Sequence, residues 1–148
     1  MYSLIEELLE KPCWVIDFLP EQVPENSAGR FFAVEQFYLQ EPRRRKLRRQ
    51  FVNILLKLYC YRDIRVCEPE EEEWKPNPAP AQLFQWIDEN KKDLLILLPE
   101  DHTLITLNRN EISMTVYNPP ERILKLLDRL ATAEGLFLWQ PPRKKQTD

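Results

Sequence analysis

Residues 42–62, PRRRKLRRQFVNILLKLYCYR, carry the longest helical pattern in the chain and its only strong charge asymmetry. Leu47, Phe51, Ile54, Leu55 and Leu58 recur at i, i+4, i+7, i+8 and i+11, one face of a helix with 3.6 residues per turn. Val52, Leu56 and Tyr59 widen the apolar arc beyond half the circumference, so the helix is expected to be packed on more than one side. Lys46, Arg49, Asn53 and Lys57 mark its wet face. Pro42 suits the first helical position, where a missing N–H costs nothing.

The first turns of this helix hold Arg43, Arg44, Arg45, Lys46, Arg48 and Arg49. Helix N-termini carry partial positive charge, so each cation there costs on the order of 0.3–1 kcal/mol unless compensated. An external polyanion is one compensator, because guanidinium forks match phosphate. The other lies within the chain, in Glu68, Glu70, Glu71, Glu72 and Glu73. The preferred reading is a solvated or self-neutralised basic end, since basic runs are weak motifs.

Outward from the helix, the bulk numbers bound the class. A chain of 148 residues is one domain by default, and its 43% hydrophobic and 30% charged content is that of a globular protein. The net charge of −3 and pI of about 5.4 weigh against a dedicated nucleic-acid binder. Only Gly29 and Gly135 occur, which removes the glycine-rich phosphate loops. Cys13, Cys60 and Cys67 form no disulfide or zinc pattern and read as small buried hydrophobes. No cofactor and no metal site is expected. Glu6, Glu7 and Glu10 stand where a signal peptide would be basic and then apolar, and the longest aliphatic run, residues 94–98, is too short to span a bilayer. A cytoplasmic location and no membrane contact are the expectations.

The remaining elements follow from period and punctuation. Ser3 and Glu6 resemble a capping box opening a short helix that Pro12 stops. Residues 14–19 read as a strand in which Asp17 is flanked by apolar neighbours. It either points outward or binds a backbone N–H at the strand end, or it is a pocket acid; without a partner carboxylate the first reading is preferred. Residues 31–39, FFAVEQFYL, are aromatic and β-branched enough to predict a strand. Residues 63–68 alternate as a strand. Residues 68–80, EPEEEEWKPNPAP, read as an acidic, proline-rich linker with Trp74 as a candidate docking aromatic. Pro80 opens a shorter helix. Residues 94–98, 103–107 and 112–117 form a three-stranded meander. Asn118 and Glu121 predict an N-capped helix ending at Gly135, followed by a last strand at 136–139 and a frayed basic tail at 143–148.

The sum is an α+β fold, with a mixed or antiparallel sheet packed by helices in a single domain. Two ββαβ-like halves, 12–69 and 94–142, are suggested by the element order. The competing reading is that proline marks helix starts and strand ends everywhere. The function expected is a binding or regulatory module acting through protein contacts, including contacts with its own copies. The alternative is nucleic-acid or polyanion binding through Arg43, Arg44, Arg45, Lys46, Arg48 and Arg49, with Tyr59, Tyr61 or Phe31 stacking. A hydrolase using Asp17 or His102 is third, and no catalytic residue is assigned.

Overall fold

The computed structural model describes residues 2–69 and 71–142. The basic tail expected at 143–148, and Glu70, lie outside them. In chain order the elements are α1 (Tyr2–Leu9), β1 (Cys13–Asp17), α2 (Arg30–Tyr38), α3 (Arg43–Tyr59), β2 (Arg65–Cys67), β3 (Trp74–Pro76), α4 (Pro80–Glu89), β4 (Leu94–Leu98), a 3₁₀ turn (Pro99–Asp101), β5 (Thr103–Leu107), β6 (Ser113–Tyr117), α5 (Glu121–Ala133) and β7 (Phe137–Trp139). Among the described residues there is one seven-stranded sheet, in the order β3-β2-β4-β5-β6-β1-β7, and each neighbouring pair is antiparallel.

The central helix is α3. Leu47, Phe51, Val52, Ile54, Leu55 and Leu58 are all buried, while Lys46, Arg49, Asn53 and Lys57 are exposed, as the periodicity predicts. It lies between α4 and α5, which explains an apolar arc too wide for a single neighbour. These three helices cover one face of the sheet, against Ile16, Val66, Leu94, Ile96, Leu98, Ile105, Leu107, Met114 and Val116. Strand alternation sends Leu97 and Leu104 to the other face, where Ile5 and Leu8 of α1 bury them. Among the described residues, the helix that covers this second face is the short α1.

Gly135 ends α5 as expected. Its φ is 77°, its N–H reaches Thr132 O at 3.0 Å, and the Leu136 N–H reaches Ala131 O at 2.8 Å. These two bonds make a Schellman motif that satisfies the last carbonyls. The Asn118 cap does not form: α5 begins at Glu121, and the Asn118 side chain donates instead to His102 O at 2.9 Å. Ser3 is likewise inside α1, not its cap.

Of residues 31–39, all but the capping Leu39 are helical, not extended, and the first half therefore runs strand, helix, helix, strand. The physical reason is positional. Both edges of β1 are taken, by β6 and β7, so no slot for another strand remains beside it. Ala33, Glu35 and Gln36 favour a helix within the aromatic run. The acidic linker is also more structured than its composition predicts. Residues Trp74–Pro76 pair with β2 at the sheet edge, where proline is tolerated. The Asn77 N–H donates to Ile64 O at 2.8 Å, and its Oδ1 accepts the Ile64 N–H at 3.0 Å.

Candidate functional site: the α2 surface and the start of α3

The basic residues of α3 fan out to four different places. Arg43 Nε donates to Phe37 O at 2.8 Å, and its guanidinium carbon stands 3.6 Å from the centre of the Phe37 ring. Arg44 donates to Arg109 O at 2.6 Å, and Arg48 to Asn108 O at 3.0 Å. Both thus hold the β5–β6 turn. Arg45 and Arg49 approach one carboxylate, Asp88 of α4, at 3.7 and 3.3 Å. Lys46 is exposed and makes no ion pair among the described residues.

The compensation foreseen from residues 68–73 is supplied elsewhere. Glu68 and Glu71 pair with Lys92 at 2.9 and 3.2 Å, and the α3 cations meet carbonyl oxygens and Asp88 instead. Glu41 adds a carboxylate at the helix start, accepting the Arg45 backbone N–H at 3.3 Å. Arg48 is buried to 3% exposure. Burial, and then the nearby Arg44, pull its pKa down to about 10, so it remains charged at neutral pH.

The other singled-out residues are spread over the molecule. Trp74 is half-buried against the α1 side of the sheet, so it docks on its own chain. Cys67 is buried, Cys13 half-buried and Cys60 exposed, all as free thiols; the expectation of a buried residue fails at Cys60, which lies past the packed face of α3. His102 is an exposed turn residue with φ 48°. Among the described residues, no group of three His, Cys, Asp or Glu side chains is placed to hold a metal ion. No helix among them is long and apolar enough to cross a membrane.

Asp17 accepts the Phe18 N–H at 2.7 Å, the strand-end role preferred from sequence. It also lines a wide cleft of about 370 Å³ with Glu21, Glu25, Phe31 and Trp139. Burial, reinforced by the charge of Glu35, raises its pKa above the usual range against the opposing pull of the Phe18 and Leu19 N–H groups. The Trp139 indole N–H stands beside the carboxylate without an aligned hydrogen bond.

Two features were not anticipated from sequence. One is Asp101, whose side chain is fully buried between two arginines. Arg122 donates to Oδ1 through Nε and Nη2 at 2.9 and 2.6 Å. Arg62 Nε lies 2.9 Å from Oδ2, but its N–H is not aimed along that line, so it acts there as a charge. This knot ties the end of α3, the 3₁₀ turn and the start of α5.

The other is α2, a helix with no buried residue. Phe32 is 64% exposed, Phe37 52% and Val34 42%. Its N-terminal end borders the acidic cleft through Phe31. Its C-terminal end borders a second cleft of about 320 Å³, floored by Phe18, Tyr38, Leu47 and Leu136 and rimmed by Arg43 and Lys46. An apolar helix is therefore set between an acidic and a basic hollow.

No protein-family model matches the sequence, and no curated protein and no solved structure is significantly similar to it.

Proposed function

We propose that the protein is a small binding module that acts through protein contacts, and that α2 with its two flanking clefts is the contact surface. The observation that carries this is the exposure of Phe32, Val34 and Phe37 on a helix that rests on the core through Tyr38 and has no fully buried residue. Large apolar side chains clustered on one exposed element mark interaction sites, whereas single exposed ones are ordinary. Aromatic side chains and arginine, here Phe32, Phe37 and Arg43, are enriched at interface centres.

Polyanion binding has less support. Arg44, Arg45, Arg48 and Arg49 already hold carbonyl oxygens or Asp88, and freeing them would cost those contacts. A hydrolase has less still, because the Asp17 cleft holds carboxylates without a positioned nucleophile or base.

The test is a photo-crosslinking side chain at position 34 of the full chain, in an expressing cell. The comparison chain carries Phe32→Ser and Phe37→Ser as well. Protein adducts that disappear in the comparison chain, with unchanged thermal melting, support the reading. Adducts only to nucleic acid would replace it with the polyanion reading, and no adducts in either chain would overturn it.

A further inference from the structure

We infer that the partner α2 receives is a second copy of this chain, docked with the two α2 helices antiparallel about a twofold axis. This rests on the α2 surface being the contact surface.

The argument is self-complementarity. In a twofold interface one patch meets itself, so whatever lies at one end of the patch must suit what lies at the other. Here the N-terminal end of α2 adjoins Asp17, Glu21 and Glu25, with Phe31 and Trp139. The C-terminal end adjoins Arg43 and Lys46, with Phe18 and Tyr38. Setting α2 against its copy in the reverse direction brings each acidic cleft over the partner's basic rim, twice. The minority charges agree: Arg30 opens α2 at the acidic end, Glu41 follows it at the basic end, and they are opposite in sign. The nine residues of α2 make a helix of about 13 Å. The two charged ends are thus close enough for both to fall inside one interface of ordinary size, about 800 Å² per partner. Between them, Val34 and Phe37, three positions apart on one side of α2, supply the apolar centre. Antiparallel helices also oppose their dipoles favourably. A parallel pairing would set acid on acid and base on base.

The test uses charge exchange. Glu21 and Lys46 are both exposed and make no hydrogen bond or ion pair among the described residues, so Glu21→Lys and Lys46→Glu should leave the fold intact. Sedimentation velocity of the wild-type chain should show a dimer that weakens as salt rises. Each single variant should dimerise at least about tenfold more weakly, because every substitution enters the interface twice. Mixing the two variants should restore a heterodimer, since one chain then carries two basic ends and the other two acidic ends. Combining both changes in one chain should restore the homodimer. Restoration cannot come from a damaged fold.

A wild-type chain that remains monomeric at about 100 µM, below which any useful contact should be visible, would overturn the inference. So would equal weakening in the mixture and in the single variants. If the chain is monomeric while crosslinks from position 34 still reach another protein, the self-docking falls and the contact surface stands. If neither occurs, both fall.

Discussion

Asp101 shows how much of this molecule depends on single side chains that the sequence does not advertise. In the chain it is one acid in Pro99-Glu100-Asp101-His102, a turn composition. Folded, it is the buried partner of two cations that come from remote positions, Arg62 and Arg122. Nothing local encodes that meeting, which is why it was not legible. Removing one member of a buried pair strands the other charges, at a typical cost of about 3–5 kcal/mol. Arg122→Ala leaves the fully buried Asp101 carboxylate without the two hydrogen bonds Arg122 donates, so it should lower the unfolding free energy by that much, read as a lower urea midpoint at unchanged slope. Asp101→Ala should cost less, about 1 kcal/mol, because the Arg62 and Arg122 side chains it leaves behind are 27% and 60% exposed and water can replace their partner. Equal losses would mean that the knot is not organised around the carboxylate. Asp17 gives a prediction with the opposite sign. Its pKa is raised in the fold, chiefly by burial, so the unfolded chain ionises first as pH rises. The folded state therefore loses stability between the ordinary value of 3.8 and its own higher one, and carries that cost at neutral pH. Asp17→Asn should raise the melting temperature at pH 7, and the gain should fade as pH falls through the raised folded value and be gone below the ordinary 3.8. A gain independent of pH would refute this account. The ambiguity at Asp17 was visible in the sequence, since an acid among apolar neighbours needs explaining, but its cleft was not. Glu21, Glu25, Phe31 and Trp139 reach it only through the fold.

At the level of elements, legibility follows the length of the repeat. α3 was readable almost residue by residue, because five apolar positions over three turns fit only one period. The stop of α5 was readable because Gly135 must take a φ of 77°. No atom lies within 4 Å of where a Cβ would sit there, so the only penalty for a side chain is backbone strain. Gly135→Ala should therefore cost about 1 kcal/mol in thermal or urea unfolding and leave β7 paired. A loss of several kcal/mol would point to packing instead. α2 was not readable. Nine mixed aromatic residues satisfy either period, and what decides between them is that β1 already has neighbours on both edges. The acidic stretch around Trp74 was misjudged for a related reason. Its charge and proline content argue for solvent, and an edge strand is the one sheet position that accepts both.

For the molecule as a whole, the class of fold was within reach, since strands and helices alternate without the regular βα repeat of a parallel sheet. The candidate site was only half within reach. The basic run at the start of α3 was conspicuous, yet most of it holds the domain together, at the β5–β6 turn and on Asp88. The surface proposed as the contact site lies next to it, on a helix whose sequence reads as a strand. The strand order carries one more consequence. β1 is an interior strand, and both of its neighbours come from far along the sequence: Cys13 pairs with Tyr117 and Val15 with Trp139. During translation the nascent chain must hold β1 without its sheet partners until β6 and β7 emerge from the ribosome. Contacts so far apart in sequence form slowly, because the long loop must close before they reward it. An interrupted polypeptide would leave Trp14, Val15 and Ile16 bare, which makes this the segment a holding chaperone would find first.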